Sequence, residues 1–399
     1  MIPRRNLLAT AAAYPFAARA SPRPVVKIGV LTDLSGPYRN IAGQGSIACT
    51  RLAAAECGAA DFDVVVISAD HHNDAANGAA IAARWYDHEG VGLIVDVPNS
   101  DVALAVSAVA REKNRAFIDC GAGTTRLTGA DCSPNTLHWG YTTDMLARST
   151  GGALVQSGGA TWFFLTQDTV FGRGLERDTS TTVVSAGGRV EGSLRYRLQA
   201  SADQAPLLRQ AMQSSAAVLG LATAGTDLIG LVRQARALGL TDDMRIAGLL
   251  MLLPDVHALG LELAGGLLLT ESFYWDLNDR TRAFARRLGG DAPPDMIGAA
   301  CYAGTLHFLR AVSAMGAANA RSDAATVIAR MKATPTDDDA FGPASIRRDG
   351  QAMVPAYLFQ VKSASESTGP WDAYRLLSTT PAERAYETLD AGGCAIVKT

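Results

Sequence analysis

The sequence predicts an α/β protein made of two doubly wound lobes, each built on a parallel sheet and joined by a multi-strand hinge. Three observations carry this. Short apolar runs of the buried type alternate with Ala-rich helical patterns. The alternation occurs twice in succession. A mostly helical stretch then follows, as expected of a chain that returns to its first lobe. A chain of 399 residues is long enough for two domains.

The elements follow in order. Val25–Leu31 reads as a strand and Gly45–Glu56 as a helix; Asp63–Ala69 as a strand and Ala75–Glu89 as a helix. Val91–Val95 is a strand pattern, Val102–Lys113 a helix and Ala116–Asp119 a strand. The second series begins with a helical Leu146–Ser157, strand Trp162–Leu165 and helix Gly174–Ala186. It continues with strand Arg189–Arg197, helix Ala205–Ser214, strand Val218–Ala222, helix Asp227–Leu238, and strands Arg245–Leu249 and Gly266–Ser272. Helical patterns at Thr281–Arg287, Gly298–Met315 and Ala324–Lys332 precede short strand candidates near Ala344–Ile346 and Ala356–Val361. The lobes expected are 25–143 with 274–345, and 144–273 with 346–380, followed by a C-terminal tail at 381–399. Crossing strands, rather than one linker, would let the lobes close like a hinge.

Arg4-Arg5, the apolar Leu7–Ala18 and the small-x-small site Ala18-Arg19-Ala20 read as an export signal removed at residues 1–20. Either the general or the twin-arginine route delivers the chain to an oxidising compartment, expected to be the periplasm. A net charge of −3 gives no footprint for nucleic acid. Among the cysteines no Cys-x-x-Cys pair occurs, so zinc and redox motifs are unsupported. Cys49 and Cys57, eight residues apart on one helical pattern, are about 12 Å apart and too far for a bridge. Cys132 and Cys394 both fall in loops and are the expected disulfide, with Cys120–Cys132 as the alternative.

Ligands of open α/β sheets bind at the carboxyl ends of strands. The first such loop, Leu34-Ser35-Gly36-Pro37-Tyr38, is expected to present backbone N–H groups, with Ile41 just beyond. The third strand ends in Asp96-Val97-Pro98-Asn99-Ser100-Asp101 and the fourth in Cys120-Gly121-Ala122-Gly123-Thr124-Thr125. Asn99, Ser100, Thr124 and Thr125 supply amides and hydroxyls; the glycines on either side of Ala122, Gly121 and Gly123, let backbone N–H groups come close. Beside helix N-termini this suits a carboxylate or another small anion. Ser100 and Asp101 also read as an ordinary helix cap, but three consecutive loops on one edge favour a ligand site. In the second series of strands, Phe171, Thr223, Gly225, Tyr274 and Trp275 follow strands, and the aromatics among them would cover an apolar ligand body. His71-His72 reads as a solvated or loop-bonding pair and Asp337-Asp338-Asp339 as a solvated turn rather than metal sites, so no metal and no cofactor are expected. No nucleophile or nucleotide motif is present.

The Val26–Pro37 start and the Gln167–Gly174 segment, behind an export signal, resemble the extracellular solute-binding proteins of ABC transporters. The most similar group is the branched-chain amino acid (Leu/Ile/Val) binding type, with the type I periplasmic-binding fold, over nearly the whole mature chain. Glu271–Phe284 resembles an amino-acid-binding subgroup. The resemblance implies a non-enzymatic, monomeric protein that hands its solute to a permease in the inner membrane. It implies that a ligand carboxylate is held around Ser100 and Ala122–Thr125. It sets Phe171 where relatives carry a Tyr before Gly, and Tyr38 or Ile41 at the first-loop aromatic. Relatives that bind amino acids place an acidic residue after the Arg245–Gly248 strand to pair the ligand ammonium. Here that stretch reads Gly248-Leu249-Leu250-Met251-Leu252-Leu253, with Leu250 at the cleft and no carboxylate. A buried ammonium without a counter-charge is costly. The expected solute is therefore an acid without an amine: a 2-oxo or hydroxy acid, or an aromatic acid. Asp276, Glu271 and Asp295 are the candidates to replace the missing charge. The alternatives are a ligand sensor of the same fold and, against the lack of a nucleophile motif, an exported hydrolase.

Overall fold

The computed structural model describes residues 23–58, 61–197, 203–317 and 323–397. The expected export signal at 1–20 lies outside them. The first sheet is fully parallel: β1 (Val25–Thr32), β2 (Asp63–Asp70), β3 (Val91–Asp96), β4 (Ala116–Asp119) and β5 (Thr136–His138), in the order β2-β1-β3-β4-β5. Parallel neighbours need long crossovers. Three are helices: α1 (Gln44–Glu56), α2 (Ala75–Asp87) and α3 (Ser100–Glu112). Only glycine fits at position 29, because a Cβ there would lie 2.3 Å from the Trp85 ring of α2.

The chain crosses through α4 (Thr143–Leu146), a π-helical turn at Ala147–Gly151 and α5 (Gly152–Gln156). The second series is β6 (Thr161–Gln167), α6 (Val170–Ser185), β7 (Arg189–Tyr196), α7 (Ala205–Met212), β8 (Val218–Ala222), α8 (Gly225–Ala237) and β9 (Arg245–Gly248). Then come α9 (Leu253–Leu259), α10 (Leu261–Ala264) and β10 (Leu268–Glu271). After α11 (Asp279–Leu288), α12 (Met296–Met315) returns to the first lobe and packs against α1. Buried almost all round, α12 reads as a continuous apolar run rather than an amphipathic one. A small antiparallel sheet follows: β11 (Thr336–Asp338), β12 (Gly342–Ile346) and β13 (Ala352–Met353). It reaches the first sheet through a bridge between Gln351 and His138. Finally β14 (Ala356–Val361) and β15 (Tyr374–Thr380) add antiparallel to β10, giving the order β15-β14-β10-β9-β8-β6-β7. The boundary expected at 345/346 falls inside β12.

The sequence pattern passed over β5, β11, β15, α9 and α10. Strands of three residues carry no readable period, and β15 is an edge strand exposed along most of its length. The single helix expected at Leu146–Ser157 is instead α4, the π-turn and α5. Cys132 is bonded to Cys394. Cys120 is buried and free, so the alternative pairing is not formed. The tail also lies on the first lobe through Tyr386, whose hydroxyl donates to the Gly140 carbonyl at 3.0 Å. Arg347 Nη1 donates to the Glu387 carbonyl at 2.6 Å.

Burial pushes the carboxyls of Asp96, Asp255 and Asp295 up to about 7. An acid whose folded value lies above its unfolded one binds more protons when folded. The stability it contributes is complete below the unfolded carboxylate range and is lost as pH rises through about 7. The melting temperature should therefore be higher near about pH 5 than near about pH 8 in calorimetry. A higher value on the alkaline side would contradict this.

Candidate ligand-binding cleft

In the order β2-β1-β3-β4-β5 the winding reverses between β1 and β3; in β7-β6-β8-β9-β10 it reverses between β6 and β8. Such switch points open a crevice at the carboxyl ends of the strands. Here the two crevices face each other. The first lobe contributes Tyr38 and Ile41 after β1, Pro98 to Asp101 after β3, Gly121 to Gly123 after β4, and Tyr141 after β5. The second contributes Thr169, Phe171, Ala224 and Leu250. The lobes meet closely here, leaving a cavity of about 10 Å³ between them.

The first loop is held from within. The Asp33 carboxylate accepts the N–H groups of Ser35 (3.2 Å), Gly36 (2.5 Å) and Tyr38 (2.9 Å), and Asn73 Nδ2 (2.8 Å). The expectation that these amides serve a ligand is corrected: Asp33 occupies them. The loop contributes its side chains instead.

The segment after β3 is strained. Asp96 and Val97 have φ of 85° and 71°, a region that a β-branched residue enters only under constraint from its surroundings. The twist brings Pro98, Asn99 and Ser100 to the mouth of α3. The Asn99 side chain caps α3 by accepting from Asp101 and Val102 N–H. Ser100 Oγ, buried in the cleft wall, has no partner. After β4 the carbonyls point back into the protein. Gly121 O accepts from the Tyr141 hydroxyl, Ala122 O from His138 Nε2 at 2.8 Å, and Gly123 O from Thr143 N–H at 2.8 Å. The His138 ring is buried, which lowers its value to about 4, so it is neutral and donates through Nε2. Glycine is required at 123 because a Cβ would lie 2.7 Å from the Phe171 ring and 2.8 Å from that of Tyr141.

Among the described residues three hydrogen bonds join the lobes across the cleft. The Tyr38 hydroxyl donates to Gln167 Oε1 (3.3 Å), Thr226 N–H to Pro37 O (3.1 Å) and Val170 N–H to Asp101 Oδ2 (3.4 Å). Burial, and then Asp227, push the Tyr38 phenol far up, so it stays a neutral donor.

Of the residues expected from sequence, the cleft brings together Tyr38, Ile41, Asn99, Ser100, Ala122, Gly123, Phe171 and Leu250. It does not bring in the other six. Thr124 turns inward to accept Arg126 N–H, and Thr125 begins a short helical turn. Thr223 Oγ1 donates to Asp227 at 3.0 Å. Gly225 abuts Pro37. Tyr274 and Trp275 both donate to the Trp371 carbonyl, and Tyr274 packs on Tyr374. They follow β10, three strands from β6 and on the far side of the switch point, so their loop opens elsewhere. The three candidate counter-charges are also engaged away from the cleft. Glu271 accepts from Leu253 N–H and the Tyr374 hydroxyl, Asp295 caps α12 and Asp276 pairs with Arg282. Sequence reasoning missed Pro98, Asp101, Gly121, Tyr141, Thr169 and Ala224. Most lie within loops already singled out; Tyr141 follows a strand too short to see.

A model of the family described as periplasmic binding protein matches residues 25–368. The chain belongs to the periplasmic binding protein family. A crystal structure of a periplasmic binding protein from Burkholderia mallei is 41% identical, with a TM-score of 0.89 over 93% of this chain and 99% of that one. A branched chain amino acid ABC transporter periplasmic ligand-binding protein from Burkholderia xenovorans LB400 is 30% identical, with a TM-score of 0.82 over 93% and 99%. An R. palustris ABC transporter solute binding protein, in complex with benzoate, is 18% identical, with a TM-score of 0.80 over 90% and 97%. That likeness concerns the fold. A search of curated proteins finds no match. As a periplasmic binding protein the chain has the two-lobed type I fold expected from its sequence, and its family works with ABC transporter permeases. Among the described residues no helix is long and apolar enough to cross a membrane, and no cluster of three or more His, Cys, Asp or Glu could hold a metal.

Proposed function

We propose that this periplasmic binding protein captures a small carboxylic acid without an amine between its lobes and presents the closed form to an inner-membrane permease. The observation that carries the reading is the unpartnered Ser100 Oγ at the N-terminus of α3, opposite a second-lobe wall made of Leu250, Phe171 and Ala224. A helix N-terminus with a free hydroxyl suits a carboxylate, and the apolar wall suits a body with no charge. The benzoate in the R. palustris relative gives an acid of this class as a probe.

One observation favours a second reading. Asp101 lines the cleft mouth, where its carboxylate could meet a ligand ammonium. Calorimetry with leucine, 2-oxoisocaproate, pyruvate and benzoate separates the two. Binding of an oxo or aromatic acid with none of leucine supports the proposal; tight leucine binding alone overturns it. Ser100→Ala should then weaken the acid that binds best by about 10- to 100-fold, as for a lost hydrogen bond to a charged group. An unchanged affinity would remove Ser100 from the site.

A further inference from the structure

An anion in this cleft faces an unusual electrostatic setting. Among the described residues no Lys, Arg or His lines it, whereas Asp101 does, and the Asp96 carboxyl lies beneath Gly121 of its wall. Asp33 is satisfied by three backbone amides and Asn73. Asp119 accepts Ala122 N–H and lies 3.3 Å from His138 Nε2. Asp295 accepts Gly298 N–H at the start of α12. Asp96 differs from all three. It is fully buried, neither oxygen has a well-formed hydrogen bond, and it sits on the strained turn that carries Pro98 to Ser100. Its Oδ1 also lies directly under the cleft floor, 2.9 Å from where a Cβ on Gly121 would be.

We propose that Asp96 is a proton-linked positioning residue: it must be protonated for the cleft to hold an anion, so capture takes up a proton at neutral and alkaline pH. The inference rests on the reading of the solute as a carboxylate. The balance is simple. The anion enters from solvent, one proton moves from solvent to an Asp96 oxygen, and no other bond changes.

The groups that face Asp96 support this. The nearby carboxyls of Asp295 and Asp33 push it up, Asp119 is itself pushed well above the ordinary carboxylate range by burial, and Thr32 and Ser46 supply only hydroxyls. Cys49 of α1, Cys120 after β4, Cys301 of α12 and the Tyr141 phenol are all neutral, each pushed up by burial. None of these groups is a cation. Burial accordingly raises Asp96 to about 7. An anion placed above it favours the protonated form further.

The test is calorimetric titration of benzoate and 2-oxoisocaproate into the full mature protein from about pH 6 to about pH 9, where both probes are fully ionised. Affinity should fall by up to about tenfold per pH unit above neutrality, and buffers of different ionisation enthalpy should report proton uptake. Asp96→Asn should abolish the slope, whatever its absolute affinity. A flat profile in the natural protein, or the same slope in Asp96→Asn, overturns the proposal. A second measurement needs neither ligand nor variant folding. With aspartate carboxyls isotope-labelled, infrared difference spectra should show a buried protonated carboxyl persisting to neutral pH. Ionisation of every such carboxyl in the ordinary acid range would overturn the proposal whatever binds. If no acid binds at any pH, the proposal falls together with the solute reading, whether or not that band persists; if an acid binds with a flat pH profile, the proposal falls alone.

Discussion

Gly225→Ala is expected to weaken capture of the best-binding acid by on the order of 100-fold, about 2.7 kcal/mol. Gly225 opens α8 with φ +62°, and a Cβ there would lie 2.3 Å from the Pro37 carbonyl oxygen. Two costs are involved, and they separate. Alanine in the left-handed region costs roughly 1 kcal/mol whether the lobes are together or apart, which lowers stability but not affinity. The clash with Pro37 exists only when the lobes meet. It also removes the neighbouring Thr226 N–H to Pro37 O bond of 3.1 Å. If the lobes must meet to complete the pocket, affinity falls with the population of the closed state. Gly230→Ala, in the same helix and with nothing within 4 Å of the new Cβ, is the control. Calorimetric affinity and small-angle scattering with and without ligand provide the check. Natural affinity in Gly225→Ala, with compaction on binding, would overturn the role given to this contact.

The double variant Cys132→Ser, Cys394→Ser should lose about 2–5 kcal/mol of stability, the usual cost of removing a natural disulfide. The bond links residues 262 positions apart, so it closes a ring that spans both lobes. Much of its effect therefore lies in limiting the unfolded chain. In the folded state it anchors the last crossing back to the first lobe, beside Tyr386 and Glu387. Calorimetric melting of the variant against the natural protein checks this. An unchanged melting temperature would show that the tail is secured by its hydrogen bonds alone. The position of the disulfide, away from the cleft residues, predicts that ligand affinity changes far less than stability.

Much of this protein was legible in the order of its residues. Buried strands joined by helices have only one economical arrangement, a parallel sheet wound on both faces. The loops after β1, β3 and β4 then fall on one edge, and Ser100, Asn99, Ala122 and Gly123 of those loops line the cleft. The six expected residues that do not line the cleft are held elsewhere for identifiable reasons. Thr124 and Thr223 have nearer partners in Arg126 N–H and Asp227. Tyr274 and Trp275 do end a strand, but strand order, not chain order, decides which ends face the crevice.

The sequence by itself determined the two winding series, the family likeness and the missing acid at Leu249–Leu253, because periodicity and local motifs are written along the chain. Only the tertiary structure decided the rest. It shows that Asp33 occupies the first-loop amides, that Asp96 is left unpaired beneath Gly121, and that Gly225 bears on Pro37. Each of these depends on groups from different strands or lobes meeting within a few ångströms. Hydrogen bonds, burial and steric contact act at that range, and a linear pattern does not record which distant residues share it.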